Sequence, residues 1–548
     1  MKSFLFASVL IVVLFMSATA QPTLQWVRQL DGYGRYDYIS SIKVYNGSIY
    51  VTGWITNSSN EHDFIIMKYD NAGNRQWLQT YDGSNSDRGK SIDARGAYVY
   101  VTGTTKTGSD YDWVTFKLDT TSGTGISSPL LWPSAGNTVN DSAGVVKAGL
   151  LGSNADTFFV GGTSSASSTN PDLRVIKYHN VVGELANKVY DSGKKDYFVD
   201  MTVDANNNVY VLGKSDDGST TYDFTIIKYS SNMTQLWVKN WGTGGIADNP
   251  YGIAVDNSGN VYVVGETFNT TEFANDFVTV KYNSSGTLQW ANVYTGSSHY
   301  YDSGYAITTD NTYVYVTGNI NGGGIVGTIK YDLSGTLQWE REYANAAQGR
   351  LISVDNSGNV YVGGDALHST AADFLLLKYD ASGTQQYAQL YDGNLQGGVD
   401  WATTMKPDAY GNMFIGGYTT TSTLNAAGQD WLLVKYNVGG TFASKAAFVP
   451  TPLDETTPER VSLEQNYPNP FNPETKIKFN LKDDDFITLK VYDILGREVK
   501  TLFNHEYFNK GDHEVSFNAS EYASGVYFYK INVGNSKQQI VKKMLLAK

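Results

Sequence analysis

From Thr23 to Phe448 the chain consists of short runs rich in Val, Ile, Tyr, Phe and Thr, separated by clusters of Gly, Asn, Asp and Ser. That pattern predicts short strands joined by turns, and helix signals are nearly absent. The clearest stretch runs Gly252-Ile-Ala-Val-Asp-Asn-Ser-Gly-Asn-Val-Tyr-Val-Val-Gly265, then a polar loop, then Asp276-Phe-Val-Thr-Val-Lys-Tyr282 and, after Asn283 to Gly286, Leu288-Gln-Trp290. Its second segment, like Val99-Tyr-Val-Thr and Val209-Tyr-Val-Leu, is apolar with little alternation, as expected of a strand covered on both faces.

This stretch repeats. The Lys of its third segment recurs at Lys68, Lys117, Lys177, Lys228, Lys281, Lys330, Lys378 and Lys435, at intervals of 48 to 60 residues. The Gly ending its second segment recurs at Gly53, Gly103, Gly162, Gly213, Gly265, Gly318, Gly364 and Gly417. Four strands per copy, packed against equivalent neighbours on both sides, describe the blades of a β-propeller. The expected fold is all-β, an eight-bladed propeller, or a seven-bladed one if the divergent copy Asp141 to Val182 is displaced. A ring must close or leave unpaired strand edges. Leu24-Gln-Trp26-Val27 matches the fourth segment before any first segment has appeared, whereas the last copy's own fourth segment, Thr441 to Phe448, lacks the Trp. The N-terminal segment is therefore expected to complete the last blade.

With their Asn-Val-Tyr-Val strand and Asp-Phe-x-x-x-Lys-Tyr segment, residues 23–448 resemble the bacterial β-propeller repeat family. The resemblance implies the fold and leaves function open, because propellers host enzymes, receptors and scaffolds.

The pattern changes after Pro450. Half of the twelve prolines lie between Pro450 and Pro473, marking residues 450–458 as a linker. Beyond it, Lys476-Ile-Lys-Phe-Asn-Leu481 and Ile487-Thr-Leu-Lys-Val491 alternate with period two, and further strands are expected at 513–518 and 526–533. A small antiparallel, Ig-like β-sandwich over residues 459–548 accounts for this. Asn466-Tyr-Pro-Asn-Pro-Phe-Asn-Pro473, Val491-Tyr-Asp-Ile-Leu-Gly-Arg-Glu-Val499, Ser524-Gly-Val-Tyr-Phe528 and the basic end from Lys542 resemble the C-terminal sorting domain of type IX secretion cargo. Carried over, the motif residues are Asn469, Pro470, Gly496, Arg497, Gly525, Tyr527, Lys542 and Lys543. The resemblance implies an outer-membrane translocon as partner, and delivery to the outer surface or medium of a Gram-negative bacterium.

The beginning of the chain agrees with export. Lys2 precedes the apolar run Phe4 to Met16, and Ala18-Thr19-Ala20 offers small residues at Ala18 and Ala20, so residues 1–20 read as a signal peptide and residues 21–449 as the propeller. The run is shorter than the roughly 20 residues a membrane helix needs, so no integral membrane protein is expected. There is no cysteine, which excludes disulfides, thiol catalysis and thiolate metal sites. The formal charge is −13, and from Glu459 onward thirteen Lys/Arg nearly balance twelve Asp/Glu, so the acidity lies in the repeats. An acidic body argues against nucleic acid as partner.

Candidate chemistry is sparse. An Asp five residues before the repeated Lys recurs at Asp63, Asp112, Asp172, Asp223, Asp276, Asp373 and Asp430, and Ile325 stands in the sixth copy. Asp63 and Lys68, Asp223 and Lys228, Asp276 and Lys281, and Asp373 and Lys378 read as structural, each Lys entering a blade interface where an Asp of its own or the neighbouring copy neutralises it, since a buried charge needs a partner; cation binding is the alternative. Asp256-Asn-Ser-Gly-Asn260 and its relatives lack the later ligands of a calcium loop and read as hairpin turns. None of the six His has a metal-binding neighbour at helical or finger spacing, so no metal and no cofactor is expected. The connections from second to third and from fourth to first strand share one face and vary between copies, which makes that face the place for binding. Its candidates are Trp54, His299, Tyr300, Tyr301, Asp302, Tyr391, Asp392 and Trp401. Noncatalytic recognition of a glycan or protein is the leading expectation. The alternatives are an extracellular polysaccharide lyase or hydrolase, and a structural or adhesive surface protein.

Overall fold

The computed structural model describes residues 21–30, 36–83, 86–107, 110–125, 130–132, 141–149, 157–167, 170–180, 183–216, 218, 221–242, 247–296, 300–345, 347–368, 371–392, 398–420, 428–442, 461–482, 485–493, 497–533 and 539–547. The expected signal peptide and linker lie outside them. None of the described residues is in an α-helix, and no helix is long and apolar enough to cross a membrane. Contacts divide the chain into two units, one holding the described residues up to 442 and the other those from 461.

The first unit contains eight four-stranded antiparallel sheets among the described residues. Seven are contiguous in sequence, spanning residues 38–81, 88–132, 142–190, 196–241, 248–294, 303–344 and 347–391. The eighth joins Asp400–Pro407, Asn412–Thr420 and Gln429–Asn437 to the N-terminal strand Thr23–Leu30, with Leu30 opposite Trp431 and Thr23 opposite Asn437. The divergent copy forms a sheet like the others. First strands of consecutive sheets touch each other, and that of the eighth touches that of the first. The sheets thus stand around a common axis in a propeller-like ring, first strands innermost.

Apolar clusters fill the gaps between sheets, which is why the middle strands show no alternation. Tyr210, Leu212, Phe224 and Ile226 of the fourth sheet meet Ile253, Val261, Val263, Val278 and Val280 of the fifth. At the closing seam, Phe414, Trp431 and Leu433 of the eighth meet Ile39, Ile42, Val51, Ile65 and Met67 of the first.

The repeated lysines do not pair with the aspartates five residues before them. Five residues of strand span roughly 16 Å, so the two groups sit at opposite ends of one strand. Each ammonium instead donates to a backbone carbonyl just after the third strand of the next sheet: Lys68 to Thr120, Lys117 to Asn180, Lys177 to Ser231, Lys228 to Ser284, Lys281 to Leu333, Lys330 to Ala381, Lys378 to Val438 and, across the seam, Lys435 to Asn71. Each also lies over an aromatic ring of its own sheet, as Lys281 lies 5.2 Å from the centre of Tyr262. In five copies a carboxylate of the first hairpin turn acts on the lysine: Asp204 on Lys228, Asp256 on Lys281, Asp310 on Lys330, Asp355 on Lys378 and Asp408 on Lys435; Asp332 of the next sheet also acts on Lys281.

A fourth-strand Trp shares the same carbonyl. Trp77, Trp237, Trp290 and Trp339 donate to Thr120, Ser284, Leu333 and Ala381, and Trp26 of the N-terminal strand donates to Asn71. The turn glycines Gly73, Gly123, Gly286, Gly335 and Gly383 have positive φ, and a Cβ on any of them would strike the indole.

The second unit has a three-stranded sheet, Val461–Leu463, Glu474–Leu481 and Gly511–Asn518, and a four-stranded sheet, Glu498–Phe508, Asp485–Tyr492, Gly525–Val533 and Gln539–Leu546. Both feed one core, including Ile477, Phe479, Leu489, Val491, Phe517, Tyr529, Ile531 and Met544. The period-two alternation follows from that arrangement, since each strand has one face inside. Asn469 accepts the backbone N–H of Leu545, and Phe471 exchanges backbone hydrogen bonds with Leu545 and Ala547. The Asn-Pro motif therefore lies against the basic end of the chain. Tyr527 donates to Ala523, Arg497 pairs with Asp493 at 2.7 Å in solvent, Gly525 has φ 157°, and Lys543 is exposed beside the half-buried Lys542. Gly496 lies outside the described residues.

Candidate functional site

The repeated glycine builds the site. In every sheet of the ring the first strand carries a β-bulge where it pairs with that glycine. The bulge turns a first-strand carbonyl into the space a Cβ would need: Tyr38 O against Gly53, Ser303 O against Gly318 and Trp401 O against Gly417 are three of eight equivalent contacts. Only glycine fits, so the copies hold one backbone shape.

The residue just before the bulge and its second-strand partner are free to differ. Around the ring these pairs are Tyr38/Trp54, Arg88/Thr104, Ser142/Thr163, Tyr197/Lys214, Asn249/Glu266, Ser303/Asn319, Gln348/Asp365 and Trp401/Tyr418. They sit at the starts of the innermost strands, beside the long variable connections. No two copies carry the same pair on this shared backbone, the pattern expected where a site is grafted on a scaffold.

These side chains form two arcs. In the first, Trp54 stacks on Tyr38 with centroids 4.4 Å apart, Tyr38 meets Tyr418 at 5.5 Å, and Tyr418 meets Trp401 at 6.0 Å. Arginines cover both ends: Arg88 lies 5.3 Å from the centre of Trp54 and Arg350 lies 4.7 Å from that of Trp401. Arg350 also reaches Asp365 at 3.4 Å. Burial pushes the Asp365 carboxyl up to about 6, against the pull of Arg350, and pushes Tyr418 up to about 12. Burial, reinforced by Arg88, pulls His62 and Lys90 down. In the second arc Lys214 donates to Asn249 at 3.3 Å, and Glu266 accepts from Asn249, Tyr251 and Ser303.

The candidates named from sequence are scattered. Trp54 and Trp401 lie in the aromatic arc. Tyr300 and Tyr301 are exposed beyond it, and His299 lies outside the described residues. Asp302 is fully buried and accepts the N–H groups of Gly296 and Asn321, which makes it a loop staple. Tyr391 packs on Phe374. Tyr38, His62, Arg88, Lys90, Arg350 and Tyr418 went unnamed; aligning the copies on the glycine and reading the columns that vary would have found the residues beside the bulge.

The repeated aspartates gather at the sheet junctions. Asp172, Asp191 and Asp196 offer carboxylate oxygens within 4.8 Å of one another, as do Asp373, Asp392 and Asp400, and these are the described groups able to hold a cation. Burial and the neighbouring acids Asp191 and Asp196 push Asp172 up to about 6. The junction that lacks the first acid also lacks the second: Ile325 stands in one place and Ala347 in the other, with Ala347 N donating to Gly324 O as Asp87 N donates to His62 O.

Residues 465–547 match the family described as "Secretion system C-terminal sorting domain", and residues 236–270 match "Beta-propeller repeat". No curated protein matches the chain. Among solved structures, the polysaccharide lyase Uly1 aligns with TM-score 0.40 and 8% identity over 73% of this chain and 90% of its own. The β-propeller domain of the Trilobed protease from Pyrococcus furiosus aligns with TM-score 0.38 and 7% identity over 76% and 99%. The fold and both family matches agree with the motifs read along the chain: this is a β-propeller repeat protein with a C-terminal type IX secretion sorting domain.

Proposed function

We propose that the chain is a secreted or surface-held binding module without catalytic activity. In this reading an eight-bladed propeller is followed by an Ig-like sandwich that serves export. The signal peptide carries the chain to the periplasm, the sandwich is read by the translocon, and the propeller is the cargo. The observation that carries the binding role is the ring of residues that differ from copy to copy on a backbone that does not. A shared bulge with a varied side chain suits recognition, because it fixes position while leaving chemistry free. Its aromatic arc, with Tyr38, Trp54 and Trp401 half-buried around a buried Tyr418, suits the flat faces of sugars or aromatic side chains.

The test uses the full chain on glycan and protein arrays. Binding by the native protein, lost at least about tenfold in a Tyr38→Ala, Trp401→Ala variant that unfolds at a similar temperature, is the expected result; ~1.4 kcal/mol corresponds to that factor. A native protein that retains no partner, or a variant that binds equally, removes the assignment. Export is tested separately by deleting residues 459–548 in the producing bacterium. Accumulation in the periplasm is expected, and unchanged surface delivery would reject the sorting role.

A further inference from the structure

We infer that the ligand is an acidic saccharide, whose anionic group is held by His62, Arg88 and Lys90; this rests on the binding role proposed above. His62 begins the third strand of the first sheet. Arg88 stands just before the bulge of the second sheet, and Lys90 is the bulged residue itself, which has no cross-strand partner. His62 and Arg88, from two sheets, therefore meet on Trp54, and the Lys90 ammonium lies near enough to Arg88 for the two charges to act on each other, in a unit whose overall charge is strongly negative.

Two of their nitrogens are unused. Arg88 Nε, a donor in every state, and His62 Nδ1, a donor when that ring nitrogen carries the proton, are buried and have no hydrogen-bond partner among the described residues. The Arg88 guanidinium lies over Trp54, which occupies its face and leaves its in-plane N–H groups at the edge. Trp54 also packs against His62 at 6.0 Å, so the indole positions both groups. Lys90 donates to Ser142 and retains further ammonium protons. Adjacent acids are otherwise engaged: Asp87 accepts from Gly83 N and Asp63 from Asn57. A buried polar nitrogen left without a partner is a standing deficit, which a bound carboxylate or sulfate would remove by accepting from it.

The anionic group belongs to a saccharide because of what adjoins it. From Trp54 the rings of Tyr38, the buried Tyr418 and Trp401 lead away from Arg88 across the seam, an aromatic row that a free ion would not use and that successive sugar rings would. Peptide binding by strand addition would have to enter between innermost strands that already crowd one another, which disfavours it.

Isothermal titration of the full chain with length-matched oligosaccharides, neutral, carboxylated or sulfated, tests this. The acidic sets should bind at least about tenfold more tightly than the neutral one, with the advantage shrinking as salt rises through about 0.5 M. The stronger of the two acidic sets names the anion. Arg88→Gln should erase the advantage, Arg88→Lys should keep part of it, and Tyr38→Ala should weaken all sets. Should Arg88→Gln not fold, Lys90→Gln should reduce the same advantage. Equal affinity for neutral and acidic sets, or an advantage that survives Arg88→Gln, overturns the acidic ligand while leaving a binding ring. Absence of binding to all three overturns the saccharide, and the binding role survives only if the arrays return a protein partner.

Discussion

At five of the sheet junctions one carbonyl takes both a Lys and a Trp donor. Leu333 O accepts Lys281 at 2.5 Å and the Trp290 indole at 3.2 Å, both from the preceding sheet. Lys281→Met removes a charge-assisted bond and a cation–π contact, with an expected loss of about 1–2 kcal/mol in urea unfolding. An unchanged midpoint would show that the turn is held by packing alone. Asp172 provides a pH test. Its carboxyl is more basic folded than unfolded, so the folded form binds more protons between about pH 4 and 6, and stability falls as pH rises through that window. Asp172→Asn should therefore stabilise by about 1–3 kcal/mol at pH 7 and by little near pH 4. Melting curves that shift equally at both pH values would contradict the assignment. The recurrence of Lys281 and Asp276 was visible along the chain, but not their partners. A lysine that bonds to a main-chain oxygen one copy away leaves no side-chain trace of its acceptor.

Strands and turns were more legible than the bulges between them. Alternation, turn residues and the recurring glycine mark where strands run; a bulge is a single extra residue in a pairing, and it shows only when two strands are laid side by side. The recurrence of Gly318 and its equivalents has a steric cause that can be tested. Gly318→Ala sets a methyl against the Ser303 carbonyl and the Gly304 Cα, with an expected cost of about 1–3 kcal/mol in denaturant unfolding. Full tolerance would mean that the bulge can relax, and the argument for fixed positions around the ring would fail with it. The candidate site was only partly legible for the same reason. Trp54 and Trp401 stood out as large residues near variable connections, whereas Arg88 and Lys90 matter through a kink that neither residue announces.

Across the whole ring, the N-terminal strand was foreseen because its Leu-Gln-Trp matched a segment otherwise found only at the ends of copies. Removing Thr23–Leu30 strips the eighth sheet of its outer strand and leaves Gln429–Asn437 as an unpaired edge. The shortened chain should associate in a concentration-dependent way under light scattering and unfold at lower temperature; a monodisperse product of unaltered stability would speak against closure by this strand. The same join constrains when the molecule can finish folding. Trp26 and Lys435 grip the same oxygen, that of Asn71, although some four hundred residues separate them. Contacts so distant in sequence form late and slowly. Until the final repeat is available, the earliest strand has no berth, and the ring cannot lock onto its own beginning before its end exists.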